Sequence, residues 1–168
     1  GQGYMTTTPL QVAVMYSSLF NGGITYAPRI VDAFENPVTG ELQKLPPVEV
    51  AKDPMDQKIR NVVMDGLVAS VDEVRGTSGR ARVKGLTYGG KTGTAQVVSL
   101  KRVENLSDDE IPENWRDHSW YAGVYPAKDP GYVVVVLLEH GGSGGRSSAP
   151  VAGAIIKKML ELGYVSES

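Results

Sequence analysis

The sequence contains no cysteine, so it can form neither a disulfide framework nor a thiolate metal site. It has no apolar run of membrane-spanning length, because the longest, residues 133–138, is only as long as a strand. Its net charge is only −2, which implies no broad basic face for nucleic acid. It has neither an initiator methionine nor a signal peptide, and the Gly1-Gln2-Gly3 opening predicts that the chain starts inside something longer.

The residues that are present are those of an ordinary globular protein. The chain has 168 residues, of which 41% are hydrophobic and 21% are charged. This length and composition fit one compact domain or a large piece of one. No pattern requires a cofactor. His118 and His140 show no metal-ligand spacing, so we predict a structural role for them and no metal site.

Two helices are predicted in the first half of the chain. Thr8 can cap a helix that starts at Pro9 and stops at the glycines after Asn21. Apolar residues cover nearly every face of this first helix, which predicts that it is buried in a core. A second helix is expected to begin at Asp53-Pro54, and its apolar residues at spacings of three and four predict an amphipathic helix.

Strands and one further helix are predicted around these two helices. Residues 29–34 and 42–45 flank a turn-rich stretch and predict a hairpin. Three more strands are predicted in the second half, over residues 91–98, 118–125 and 132–140, and then a helix over about residues 149–162. A tight polar turn joins the last two strands, which therefore pair antiparallel. The order predicts an α+β fold, an antiparallel sheet flanked by helices.

A long polar segment, residues 99–117, separates the first two of these three strands. It is charged and has no apolar period, which is typical of a functional or disordered loop. We predict a solvated flap there. That it admits an acceptor peptide is a hypothesis. Its charged side chains are Lys101, Arg102, Glu104, Asp108, Asp109 and Glu110.

The segment over residues 85–96 carries the chemistry, and one interpretation is a phosphate-binding loop. Residues 85–92 fit the pattern Gly-x-x-x-x-Gly-Lys-Thr. Such a loop must follow a buried strand and open a helix whose amides hold the phosphates. Residues 80–84 are too polar for a buried strand, and residues 94–98 favour a strand over a helix. Nucleotide binding is therefore the weaker interpretation.

The other interpretation is the Lys-Thr-Gly strand of penicillin-recognising serine enzymes. Lys91 would place a positive charge beside a reacting serine and the substrate carboxylate, which the hydroxyls of Thr92 and Thr94 can bind. Gly93 has no side chain to block the acyl group. The Thr94 amide could point at the developing oxyanion. A peptide substrate would then add as an extra strand alongside this one. The substrate-binding segment would extend to Gln96. A plain strand with an exposed lysine is the third interpretation.

The whole chain resembles the C-terminal part of the class B penicillin-binding proteins, and most closely their elongation-type members, penicillin-binding protein 2. Residues 36–52 and 99–117 match poorly. The matching segments occur in the family's order: Gly1-Gln2-Gly3-Tyr4 with residues 7–11, Asn21-Gly22-Gly23 with Pro28, Gly76-Thr77, residues 91–96, residues 118–123, and residues 139–145 with Ala149-Pro150.

The resemblance implies a fold and a reaction. The fold is that of a penicillin-binding transpeptidase, similar to the serine β-lactamases. In the reaction, a serine attacks the penultimate D-Ala carbonyl of a peptidoglycan stem peptide, D-Ala leaves, and a neighbouring stem amine accepts the acyl group. β-Lactams acylate the same serine. The resemblance also implies an anchor in the inner membrane, a periplasmic domain, and partnership with a lipid-linked glycan polymerase of the elongation machinery.

The sequence departs from the family's pattern in one respect. The family needs Ser-x-x-Lys and Ser-x-Asn, and neither occurs here. We therefore expect residues 1–168 to be the C-terminal part of one transpeptidase domain, with both motifs upstream of Gly1. The remaining part of the domain would be a partner, and this chain alone would be inactive.

Two alternative functions are possible on the same fold: a module that senses β-lactams or peptidoglycan, and a β-lactamase.

Trp120 and Tyr121 neighbour the motif strand, and one of them is expected to face the cleft.

Overall fold

The computed structural model describes residues 5–107 and 110–166. The family-like opening Gly1-Gln2-Gly3-Tyr4 and the flap residues Asp108 and Asp109 lie outside the described residues. The elements are α1 Pro9–Phe20, β1 Ile24–Tyr26, β2 Ala33–Glu35, β3 Leu42–Lys44, β4 Glu49–Lys52, α2 Gln57–Asp72, β5 Gly89–Ala95, α3 Leu100–Val103, β6 His118–Tyr125, β7 Tyr132–Leu138 and α4 Ser148–Glu161.

The main sheet has the strand order β5-β6-β7 and is antiparallel throughout. Its register pairs Lys91 with Ala122 and Ala95 with His118. The valine-rich β7 pairs with β6 along its whole length, as the tight turn between them predicts. The motif strand β5 is therefore at one edge of the sheet, and the predicted α+β fold is confirmed.

Helices cover both faces of this sheet. Val134 and Val136 of β7 join a buried cluster with Ala152 and Ile156 of α4. Val133, whose side chain alternates to the opposite face, instead lines a cavity beside α1. The continuous valine run of β7 is thus explained by helices on either side of it.

Helix α1 has the predicted bounds and cap but not the predicted burial. Thr8 and Gln11 form a capping box, in which the Gln11 amide donates to the Thr8 hydroxyl. None of the helix's residues is buried, and Leu10 is 57% exposed. The burial prediction is wrong for this chain because α1 packs on β1, β6 and β7 with one side, and no described residue covers the other side.

Two short sheets accompany the main one. β2 and β3 form the predicted hairpin, with shorter strands than expected. β1 and β4 pair antiparallel, a pairing that the sequence analysis missed. Asp53 continues this pairing, since its amide donates to the Gly23 carbonyl, and α2 begins only at Gln57. Asp56 caps α2 instead and accepts a hydrogen bond of 2.7 Å from the amide of Lys58.

The described part of the segment between β5 and β6 has more regular structure than the predicted loop. It contains α3 and a 3₁₀ turn, Glu113–Trp115. The guanidinium carbon of Arg102 lies 4.3 Å from the centre of the Trp115 ring. This cation–π contact joins the two short helical turns. In the part of the chain that the structure describes, no helix is long and apolar enough to cross a bilayer.

Candidate active site

The Lys-Thr-Gly segment lies within a strand. Lys91, Thr92 and Gly93 all belong to β5 and pair with β6 in regular register. A phosphate loop would have to launch a helix at this point, and β5 instead continues to Ala95. The phosphate-loop interpretation is therefore wrong.

Lys91 is exposed and linked to the segment before its strand. Its ammonium group donates to the hydroxyl oxygen of Thr77 at 3.3 Å and to the carbonyl of Thr92 at 2.8 Å. Neither acceptor is a carboxylate, and no carboxylate among the described residues forms an ion pair with Lys91.

Serine hydroxyls connect α2 to Thr77 and to the start of β5. Ser70 of α2 lies 2.9 Å from the hydroxyl of Ser78 and 3.4 Å from that of Thr77. Ser78 is fully buried and donates at 3.4 Å to the carbonyl of Gly90. The end of α2 is thereby tied to the start of β5. Sequence reasoning missed both serines because they have no motif and meet only through the fold.

A glycine-rich loop, residues 141–146, packs directly against the motif strand. A Cβ atom on Gly144 would lie 2.4 Å from the Gly93 carbonyl oxygen and 2.6 Å from that of Trp120. The Gly144 amide also donates to the hydroxyl of Thr94 at 3.5 Å. The loop can sit this close to the strand because residue 144 has no side chain.

Tyr121 fills the space left by two glycines. A Cβ atom on Gly90 would lie 2.0 Å from the Tyr121 hydroxyl oxygen, and one on Gly123 would lie 2.8 Å from it. The ring is fully buried, and burial raises the pKa of its hydroxyl well above the usual value. Within the described residues this hydroxyl has no hydrogen-bond partner.

A groove of about 420 Å³ lies beside the second half of β5. Gly93, Thr94 and Gln96 line it, together with Trp120 and His118 of β6. Met5, Thr6 and Thr7, which precede α1, and Val12 of α1 also line it. Trp120 therefore faces the groove while Tyr121 lies in the core, which confirms that one of the pair faces a cleft.

Residues 1–157 match the family model of the penicillin binding protein transpeptidase domain. The chain belongs to this family. Its similarity to class B penicillin-binding proteins, and to penicillin-binding protein 2, is confirmed by relatives and structures of that kind.

Among the relatives, peptidoglycan D,D-transpeptidase MrdA of Haemophilus influenzae is 33% identical over 165 residues, which cover 95% of this chain and 25% of that protein. Penicillin-binding protein 2 of Helicobacter pylori, solved in complex with MreC, aligns at TM-score 0.73 and 26% identity over 98% of this chain and 27% of that one. Penicillin-binding protein 3 of Mycobacterium tuberculosis, solved with ampicillin, aligns at TM-score 0.70 and 28% identity over 96% and 36%. The chain thus spans about a quarter of the length of its Haemophilus relative.

The structure brings some of the predicted site residues of this transpeptidase family together and separates others. Gly93, Thr94 and Gln96 share the groove, whereas Lys91 and Thr92 lie further along β5 and do not line it. His118 and His140 contact each other, since the His140 amide donates to Nδ1 of His118 at 2.9 Å. Residues 5–107 and 110–166 contain no cluster of three or more His, Asp or Glu side chains able to hold a metal ion.

Proposed function

We propose that this chain is the C-terminal part of a serine D,D-transpeptidase domain and binds the D-Ala-D-Ala end of peptidoglycan stem peptides along β5. One observation carries the proposal: the Lys-Thr-Gly-Thr sequence forms an open edge strand beside a groove. An edge strand offers unpaired main-chain groups to a peptide that adds as a further strand. Named side chains then provide the charge and the hydroxyls.

Each residue of the strand has a proposed role. Lys91 is the cation that faces the reacting serine and the terminal carboxylate of the peptide. The hydroxyls of Thr92 and Thr94 bind that carboxylate, and Gly93 leaves room for the acyl group. The main-chain amide of Thr94 stabilises the oxyanion. Gln96 contacts the peptide further along the groove that it lines.

The nucleophile is proposed to come from outside this sequence. No lysine here follows a serine by three positions, and no Ser-x-Asn occurs. Acyl transfer needs an activated nucleophile with a base beside it, and this chain supplies neither as a recognisable motif. We therefore assign residues 1–168 to one part of a single domain, and the missing motifs to the part upstream of Gly1.

The family suggests the setting of the longer protein. We propose an anchor in the inner membrane, a domain on the periplasmic side, and reaction with β-lactam antibiotics as substrate mimics. The complex of the Helicobacter protein with MreC supports membership of an elongation machinery. A lipid-linked glycan polymerase is the proposed partner, because cross-linking acts on the polymer that such an enzyme makes.

Labelling with a fluorescent penicillin tests the proposal. The isolated chain should remain unlabelled, and the same chain joined to an upstream segment with Ser-x-x-Lys and Ser-x-Asn should be labelled. Substituting the serine of Ser-x-x-Lys by alanine is the control and should abolish labelling. Labelling of the isolated chain would refute the account of the nucleophile.

A second measurement separates the three functions on this scaffold. The complete protein should join two stem peptides and release D-Ala. A sensor would bind without turnover, and a β-lactamase would release the hydrolysed penicillin rapidly. Slow deacylation together with peptide joining is the result expected here.

A further inference from the structure

A second groove, of about 480 Å³, meets the substrate groove at Thr94. Residues of the glycine-rich loop line it, together with residues of the segment just before β6. Among the described residues, three charged side chains line it: Arg116, Arg146 and Asp117. Two guanidinium groups against one carboxylate make the described part of this groove a positively charged extension of the site.

Neither guanidinium group is neutralised within the described residues. Arg116 and Arg146 make no ion pair and no side-chain hydrogen bond there, and both are exposed. Asp117 is engaged elsewhere, because its carboxylate accepts a hydrogen bond of 3.4 Å from the amide of Val97. An arginine presents a planar fork of donors that matches a carboxylate.

The main chain holds both arginines in place. The carbonyl of Arg116 lies 3.1 Å from Nδ1 of His140, which joins the segment before β6 to the residue that precedes the glycine-rich loop. The amide of Arg146 donates to the Ser143 carbonyl at 3.1 Å, and Gly144 seats the same loop on Gly93. A fixed backbone lowers the entropy lost when the side chains bind a ligand.

The direction of the bound peptide, taken from the proposed function, brings it to this groove. In the proposed function, the terminal carboxylate of the peptide lies towards Lys91 and its scissile carbonyl lies at Thr94. The residues of the peptide that precede this carbonyl must therefore continue along β5 towards Ala95 and Gln96. Ala95 pairs with His118, so Arg116, two residues before His118, lies at that end of the sheet. The upstream part of the peptide therefore leaves the strand beside Arg116.

We propose that Arg116 and Arg146 form a subsite for a carboxylate upstream of the D-Ala-D-Ala end of the donor peptide. The subsite selects an acidic donor over its amidated counterpart. This inference rests on the proposed function, since it uses the direction in which the donor lies. Both side chains are solvent-exposed, so the selection weakens as ionic strength rises.

The test uses the complete protein and two synthetic donors that end in D-Ala-D-Ala and differ only in one upstream group, carboxylate or carboxamide. Acylation by each donor is measured by its competition with a fluorescent penicillin. At low salt the unmodified protein should react about tenfold faster with the acidic donor, in keeping with a charge-assisted contact. The preference should shrink as salt is added.

Substitutions then test whether the preference for the acidic donor depends on the two arginines. Arg116→Gln with Arg146→Gln should react equally with both donors, whereas Arg75→Gln, which replaces an exposed arginine outside both grooves, should keep the preference. Equal rates with both donors in the unmodified protein would overturn the subsite even if a variant failed to fold, as would a preference that survives the double substitution. Absence of penicillin labelling in the unmodified protein would instead refute the proposed function.

Discussion

The ammonium group of Lys91 and the hydroxyl oxygen of Thr77 lie 3.3 Å apart. This contact joins the motif strand to Gly76-Thr77, the short segment before it, and no carboxylate among the described residues pairs with Lys91. Lys91→Ala should therefore reduce penicillin acylation of the complete protein severely, by about 100-fold or more, because the charge-assisted contact proposed between Lys91 and the substrate would be lost. The rate of acylation is the measurement.

Its fold should survive that substitution, because the Lys91 side chain is exposed and packs into no core. Thermal unfolding of the variant should match that of Lys84→Ala, which removes an exposed lysine outside the site. Unchanged acylation would mean that Lys91 is only a surface lysine.

Gly144→Ala should loosen the glycine-rich loop from the motif strand. The new methyl group would lie 2.4 Å from the carbonyl oxygen of Gly93, closer than real Cβ contacts allow, and backbone atoms must move to admit it. We expect a loss of about 1–3 kcal/mol in the free energy of unfolding, as for other overpacked sites, and slower acylation. Chemical denaturation and penicillin labelling measure the two effects.

Gly131→Ala is the matched control. Gly131 lies in the turn between β6 and β7, and a Cβ atom there would meet nothing within 4 Å. Stability and acylation should both be preserved. If Gly144→Ala behaved like this control, the loop would not be seated on the strand as described.

Tyr121→Phe should leave stability unchanged or increase it. The hydroxyl that it removes is buried with no partner among the described residues, and such a group costs about 1–3 kcal/mol. Burial raises the pKa of this hydroxyl, so it remains protonated at neutral pH and no charge is lost. The midpoint of thermal unfolding reports the result.

Tyr88→Phe provides the opposite case in the same core. The Tyr88 hydroxyl donates to the buried carbonyl of Ala81, so its removal should destabilise by about 1 kcal/mol or more. A clear loss of stability in Tyr121→Phe would show that its hydroxyl has a partner in the complete protein.

Local signals explain why much of the fold could be predicted from the sequence. The Thr8-Pro9 start of α1 and the bounds of β6 follow from caps, turns and apolar patterns that act within a few residues. The pairing of β1 with β4 could not be predicted because those short strands meet only through the tertiary fold. The predicted helix start at Asp53 is wrong for the same reason, since the Asp53 amide extends the pairing of β1 with β4.

The site divides in the same way. The strand nature of residues 91–95 and its place at the sheet edge were predicted from the motif and its flanks. The hydrogen bonds that join Ser70 and Ser78 to Gly90 were not, because no residue type or spacing marks them in sequence. The groove wall from Met5 to Thr7 is likewise a product of chain folding.

The proposed docking of peptides along β5, at the margin of the sheet, has a consequence for inhibitor resistance. A compound that docks by completing the ladder would be held through peptide N–H and C=O groups, which every amino acid carries alike. Replacing Gln96 or Trp120 would alter the side-chain lining but leave those groups in place. Backbone-mimicking inhibitors should therefore lose less potency to single substitutions than compounds that depend on the groove's side chains.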